Sequence, residues 1–223
     1  MRENINYEKD TRLAYNIPKA QSYKQQQTNG ISWIRFTTWR EKSFVSAALR
    51  CCKLTNKDKI IDIPCGTGVL GNIFSNFPSF VIASDISREM MGLARKDYSK
   101  SNFGGFIQGD ITMIPFKERA FHCVVVLGLM HRLPAGIRKQ ALKEVVSLSK
   151  RFIIVSYSID STSQRIKQWL IKKLRHSHSS APAPASMGDI LKELKDNGLV
   201  LKRKYKVMPL LSAEVVFLLE KNR

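Results

Sequence analysis

The stretch IIDIPCGTGVLG, from Ile60 to Gly71, reads as a strand that breaks into a glycine turn and restarts as a helix. With Lys59 before it, its start KIIDIP is a short apolar run that stops at a glycine turn and reads as a buried strand, and Gly66-Thr67-Gly68-Val69-Leu70-Gly71 satisfies the spacing G-x-G-x-x-G. Glycine at these positions allows a tight turn and close backbone approach, and the helix N-terminus behind it presents N–H groups to polar or anionic atoms. Such a turn serves nucleotide-like cofactors of more than one kind. Asp85 closes the next apolar run, FVIASD, 19 positions past Gly66. A carboxylate there suits a ribose diol, because it can accept both hydroxyl hydrogens.

Outward from the turn, strands and helices alternate. An amphipathic helix is expected over roughly 36–53, its apolar side read from Trp33, Phe36, Val45, Ala48 and Leu49, and a short helix over 67–76. Ser87 reads as the N-cap of a further helix, GGFIQGD as a third strand, AFHCVVVLG as a fourth and RFIIVSYS as a fifth. A helix at about 135–149 separates the last two, and another follows at about 186–197. LVLKRKYKVMP and LSAEVVFLLEK then come with only a short connection, so they pair antiparallel or lie apart. The pattern predicts an α/β, Rossmann-like seven-stranded mixed sheet, a parallel core with a C-terminal antiparallel hairpin and helices on both faces. One domain over 1–223 is expected, comprising a helical cap (1–53), a cofactor-binding core (58–158), a basic helix and linker as a candidate lid (160–185), and a final helix with hairpin (186–223). A dinucleotide dehydrogenase would need a second mononucleotide-binding half, for which there is no room.

The 37 Lys and Arg outnumber the 18 Asp and Glu, for a formal charge of +19. A field of that sign attracts anions and does not choose among nucleic acid, anionic membrane and acidic substrate. Cys51, Cys52, Cys65 and Cys123 form no C-x-x-C pair and no zinc spacing, so no metal is expected and the thiols read as reduced. The polar N-terminus does not resemble a signal peptide and no apolar run approaches a membrane span, which predicts a soluble, cytoplasmic protein.

Further strings surround the glycine turn. Asp62 stands four residues before Gly66, in D-I-P-C-G-T-G. Ser84-Asp85-Ile86-Ser87 precedes Met90-Met91 and Ala94, and Gly109-Asp110-Ile111 precedes Ile114-Pro115-Phe116 and Ala120-Phe121. In this order they resemble the motifs of class I S-adenosylmethionine-dependent methyltransferases. The third string resembles the ubiquinone/menaquinone-type small-molecule branch, although His122 stands where that branch commonly has Asp. The resemblance implies S-adenosylmethionine as cofactor, with Cys65, Gly66 and Gly68 along its methionine part and Asp62 helping to hold its amino group. It implies that Asp85 binds the ribose, that Ile86 packs on the adenine, and that Asp110 accepts from the adenine amine beside the Ile111 N–H. Leu127, Gly128 and Leu129 would line the sulfonium side. SWIRFTTWRE resembles the cofactor-lid segment of the same branch, which makes Arg35 or Arg40 a candidate partner for the cofactor carboxylate through bidentate geometry.

Methyl transfer from a sulfonium is an in-line displacement that requires alignment and exclusion of water. A hydroxyl acceptor also needs a base. His131, on the loop after the fourth strand, is the candidate, and an ordinary histidine pKa would suit it near neutrality. His122, at the entry end of that strand, reads as structural. The Asp/Asn-Pro-Pro-Tyr/Phe string used for exocyclic amines of nucleic acids is absent, since Leu127-Gly128-Leu129-Met130 stands there. Ile166, Trp169, Leu170 and Leu174 share one helical face among Arg165, Lys167, Lys172, Lys173 and Arg175, a basic amphipathic pattern. The expected function is methyl transfer, at oxygen, to a small-molecule, glycan or lipid-linked acceptor of anionic character, with a peripheral anionic-membrane contact through 163–175. Two alternatives are a tRNA- or rRNA-modifying methyltransferase that uses the basic surface, with nucleic acid the less favoured partner, and a non-catalytic partner subunit retaining the fold.

Overall fold

The structure, a computed structural model, describes residues 20–22, 24–25, 32–98, 101–159, 185–208 and 213–222. Its strands are β1 (Lys59–Asp62), β2 (Phe80–Asp85), β3 (Phe103–Gln108), β4 (Phe121–Val126), β5 (Ser149–Ser158), β6 (Leu199–Lys206) and β7 (Glu214–Lys221). They form one seven-stranded sheet in the order β3-β2-β1-β4-β5-β7-β6. The first five are parallel, and β7 lies antiparallel between β5 and β6. This is the expected parallel core closed by a hairpin.

The helices are α1 (Ser32–Cys52), α2 (Gly71–Phe74), α3 (Arg88–Ala94), α4 (Ala135–Leu148) and α5 (Met187–Asp196). A parallel strand covered on both faces must be apolar at consecutive positions. In β4, Cys123, Val124, Val125 and Val126 are all inaccessible. Val124 and Val126 meet Leu142 and Val145 of α4 and Ile190 of α5 on one face. Cys123 and Val125 meet Val45, Ala48 and Leu49 of α1 and Met91 of α3 on the other. Each fully buried Val, Leu or Ile contributes roughly 1.5–3 kcal/mol, so this burial holds both helical layers to the sheet.

Two helices differ from the expectation. α1 begins at Ser32, and Trp33 and Phe36, read as part of its apolar side, are exposed. At about 100° per residue, Phe36 lies roughly 180° around the helix from Val45, so the two cannot face the same layer. α2 occupies only part of 67–76, because the chain up to Gly71 is a turn in which Gly68 N donates to Cys65 O and Gly71 N to Gly68 O (3.0 Å each). The basic helix expected at 163–175 lies outside the described residues.

The parallel strands end at one edge of the sheet, with Asp62, Asp85, Gln108, Val126 and Ser158. The hairpin returns to that edge, since Glu214 pairs with Ser158 and Val207 N donates to Glu214 O (2.9 Å).

Candidate active site

The loop after β1 is fastened to both neighbouring strands: Ile63 N donates to Val125 O (2.9 Å) and Cys65 N to Ser84 O (2.8 Å). Gly68 has φ +88°, in the region that penalises a side chain, and it is also boxed in. A Cβ at Gly68 would come 2.9 Å from Ala94 Cα, and one at Gly71 would come 2.5 Å from Asp97 O. The second and third glycines therefore let α3 and the 3-10 turn after it, Arg95–Asp97, lie directly on the loop. Lys24 holds the outer side. Its ammonium donates to Thr67 O (3.0 Å) and Leu93 O (2.6 Å) and pairs with Asp97 Oδ2 (2.8 Å). No spacing pattern points to Lys24, because two of its partners are backbone carbonyls distant in sequence.

Asp85, 5 % exposed, bridges the loop and α3: its Oδ2 accepts from Gly66 N (2.8 Å) and its Oδ1 from Ser87 N (2.9 Å). Burial raises its pKa, against the pull of the Ser87, Gly66 and Ile86 backbone donors. Ser87 Oγ accepts from Met90 N (3.2 Å), so it is the N-cap its position predicts. Asp62 is 1 % exposed; the Tyr98 hydroxyl donates to its Oδ2, and its Oδ1 has no hydrogen-bond partner. Burial, opposed by the Tyr98 hydrogen bond and helped by the Asp85 charge, lifts the Asp62 pKa to about 7. A buried carboxylate oxygen without a donor is costly, and an arriving donor would remove that cost. Cys65 is buried beside both acids, and burial followed by their charges pushes its thiol far above the usual range, which makes it unreactive.

The next strand ends extend the same edge. Asp110 Oδ1 accepts from Thr112 N and Thr112 Oγ1 (2.8 Å each), which fixes the carboxylate at the head of its turn, and Ile111 beside it is buried. Gln108 Nε2 donates to Ile86 O (2.9 Å) and so fixes the backbone that carries Ile86. Past β4, Leu127 and Gly128 are half-buried, and Gly128 N donates to Ser156 Oγ (2.7 Å). His131 lies in the 3-10 turn Met130–Arg132, anchored by inaccessible Met130. Its Nδ1 is buried without a partner. Burial, then the Arg132 charge, lowers its pKa to about 4, which corrects the expectation of an ordinary histidine: the ring is neutral at physiological pH. His122, as expected, is structural, accepting from Lys59 N at Nδ1 (3.0 Å) and facing Asp58 at Nε2 (3.1 Å).

Sequence reasoning missed an acid pair that faces Arg132, the residue after His131. Glu41 of α1 hydrogen-bonds Glu214, the first residue of β7, and Arg132 faces both. Burial, followed by the Glu214 charge, raises Glu41 well above the usual carboxylate range, while Arg132 opposes the rise. A proton held between two carboxyls relieves their repulsion. Arg40, a candidate for the cofactor carboxylate, has its Nε on Val207 O (3.2 Å) and its guanidinium over Phe44 (4.7 Å), so it ties α1 to the hairpin. Arg35 is exposed on α1. The structure thus brings Asp62, Cys65, Gly66, Gly68 and Asp85 around one loop, and places Asp110, Ile111, Leu127, Gly128 and His131 along the adjoining strand ends.

A sheet in this order, with an acid-bridged glycine loop at its carboxyl edge, defines the class I methyltransferase fold. Residues 60–151 match the family model described as a methyltransferase domain. No curated protein sequence matches the chain. Among solved structures, the magnesium protoporphyrin IX methyltransferase of Synechocystis PCC 6803 with bound SAH is similar at 19 % identity and TM-score 0.72, over 86 % of this chain and 88 % of that one. A chain from the complex between the Haloferax volcanii Trm112 methyltransferase activator and a candidate methyltransferase is similar at 13 % identity and TM-score 0.68, over 93 % and 98 %. A SAM-dependent methyltransferase of Thermotoga maritima is similar at 15 % identity and TM-score 0.63, over 92 % and 98 %. Residues 60–151 thus resemble a methyltransferase domain, within a chain whose fold extends that likeness through the terminal hairpin.

Proposed function

We propose that the protein is an S-adenosylmethionine-dependent methyltransferase of the small-molecule kind, methylating a small-molecule, glycan or lipid-linked acceptor at oxygen with His131 as base. The observation that carries the cofactor reading is the pair of buried acids at the glycine loop. Asp85 is oriented by two backbone donors and keeps lone pairs for ribose hydroxyls. Asp62 Oδ1 lacks the donor that a cofactor ammonium would bring. An added Cβ at Gly66 or Gly128 would meet nothing within 4 Å, so the backbone on both sides is open to a ligand. These residues fit the group.

S-adenosylmethionine supplies an electrophilic methyl on a sulfonium. Asp85 would hold the ribose, Asp62 and the loop the methionine end, and Asp110 and Ile111 the adenine, while Leu127, Gly128 and Leu129 exclude water from the sulfonium side. His131 would accept the acceptor's hydroxyl proton, which its neutral ring allows. A pKa of about 4 makes it a weak base in the ligand-free site. An anionic acceptor would raise that value by favouring the imidazolium, which supports the anionic-acceptor reading alongside the charge of +19. Isothermal titration with S-adenosylhomocysteine tests the cofactor assignment. Saturable binding that disappears in Asp85→Ala is expected, and an absence of binding to the wild-type chain overturns it.

A further inference from the structure

We propose that the first two turns of α1 dock on an anionic phospholipid bilayer through an outward stripe of Trp33, Phe36 and Trp39. These side chains are 39 %, 43 % and 58 % exposed. Phe36 and Trp39 touch each other, with ring centroids 5.8 Å apart. The stripe is not a frayed part of the core face. At about 100° per residue, Phe36 lies roughly 180° from Val45, and Trp39 roughly 180° from Ala48, which are residues α1 buries against the sheet. Trp33, roughly 60° from Ala48, extends the patch along the flank of the first turn beyond the sheet. Phe36 and Trp39, on the face turned away from the core, contribute nothing to the layer beneath, and the exposure of all three aromatics leaves them available to an external partner.

Their place in the fold is informative. The C-terminal end of α1 lies where β4 begins, with Cys52 against Cys123. Arg40 and Glu41 reach the opposite edge, at Val207 and Glu214. With a rise of about 1.5 Å per residue, Ser32 to Trp39 continue past that edge by on the order of 10 Å. The stripe therefore overhangs the side of the sheet on which Asp85 and His131 lie, and a surface it rests on would face the site mouth.

Charge and shape select the partner. Trp and Phe rings beside arginine are the composition of a helix that lies in a membrane interface. From Ser32 to Arg40 the helix holds Arg35 and Arg40 and no acid, and the first acid, Glu41, is turned to Glu214. Beside it, β6 exposes Lys202, Arg203, Lys204 and Lys206, and its Tyr205 stacks on Phe44 of α1 (5.2 Å). The basic segment of this chain, with Arg165, Lys167, Lys172, Lys173 and Arg175, carries the same sign, so repulsion disfavours it as the cover and an anionic surface attracts both. A single-stranded nucleic acid also stacks on aromatics but uses a groove that tracks its backbone, whereas this stripe is a convex helix ridge. Among the described residues no helix is long and apolar enough to cross a membrane.

Co-sedimentation of the full chain with phosphatidylcholine vesicles, with and without phosphatidylglycerol, tests the proposal. The wild-type chain is expected to bind only the anionic vesicles, and Trp33→Ala/Phe36→Ala/Trp39→Ala to lose at least about tenfold in affinity. The variant should keep its melting temperature and its rise with S-adenosylhomocysteine, which shows that the fold is intact. As a second readout, Trp169→Phe leaves Trp33 and Trp39 as the only tryptophans, and their emission should shift to the blue on anionic vesicles. Equal vesicle binding by the triple variant, or no blue shift, overturns the proposal. So does a stripe-dependent loss of RNA binding without loss of vesicle binding, or a wild-type dimer that the triple variant dissolves.

Discussion

Replacing Asp62 by asparagine removes a buried ionisable group without changing its size. The Asp62 pKa stands at about 7, against 3.8 for an ordinary aspartate. That is roughly three units at about 1.4 kcal/mol each, or on the order of 4 kcal/mol. An acid whose folded pKa is raised keeps its proton in the folded state between about pH 4 and 7, while the unfolded chain has already lost it. Stability from this group therefore falls as pH rises through that window and stays low above it. The substituted amide does not titrate, so it escapes the fall. It still offers an acceptor to the Tyr98 hydroxyl, but sets an NH₂ group where Oδ1 had no partner, at a cost of about 1–3 kcal/mol. The net expectation is a variant roughly 1–3 kcal/mol more stable than wild type at about pH 8 and no more stable at about pH 4.5. In a chain of this size each kcal/mol moves Tm by about 2–4 °C, so the gain at the higher pH is readily measured.

The assay is thermal unfolding by circular dichroism across that pH range, with and without S-adenosylhomocysteine. Wild-type Tm should decline against the variant's as pH rises, and the ligand should raise the wild-type Tm while leaving the variant's unchanged. Parallel Tm–pH curves would refute a titrating, buried Asp62. Ligand stabilisation retained in full by the variant would refute its part in holding the cofactor.

The other expectations concern single sites. Asp85→Ala should lose detectable S-adenosylhomocysteine binding in isothermal titration, since it removes the bridge from Gly66 to Ser87 as well as the ribose acceptor; retained affinity would move the ribose elsewhere. His131→Ala should lower kcat by roughly 10²–10⁴ with cofactor affinity unchanged, and an unchanged kcat would remove it as base. Gly68→Ala puts a methyl 2.9 Å from Ala94 Cα at φ +88° and should cost about 1–3 kcal/mol in denaturant titration; a neutral result would show that α3 does not rest on the loop. Glu41→Gln keeps a donor for Glu214 but cannot ionise. Because the Glu41 pKa is raised, its stability contribution is lost as pH rises, so the variant should gain Tm over wild type in alkaline buffer and not in acid.

How much was legible in the sequence followed the range of each interaction. The buried run Cys123–Val126 is consecutive in the chain, so a strand covered on both faces shows directly in its composition. Asp85 is legible because Ser87 follows it in the turn from β2 to α3, and Gly66 opens the glycine turn 19 positions earlier. The terminal hairpin is legible because no helix fits between its strands. The facing of α1 was not. Phe36 and Val45 are both apolar, and counting them together hid the rotation of about half a turn that separates Phe36 from the core face. The pKa of His131 was also out of reach, because its cause is burial, which no local pattern carries.

This division has a consequence for specificity. The groups assigned to the cofactor sit at the ends of β1 to β4, each within a few residues of a strand whose position the sheet dictates. The groups around Arg132, next to His131, come from α1, from the turn after β4 and from the start of β7, and they meet only in the folded chain. A methyltransferase can therefore keep its cofactor loop while the mouth beside it changes by substitution at positions that no motif covers. Glu41, Glu214 and Arg132 are three such positions. Glu41 and Glu214 avoid mutual repulsion only while a proton is shared, and Arg132 holds the balance of charge beside the proposed base. An acceptor that brings its own negative charge would compete with that pair for Arg132 and raise the basicity of His131 at the same time. Under the proposed function the acceptor is thus better sought among anions than among neutral alcohols, and the cofactor motif alone, being common to both, could not have separated them.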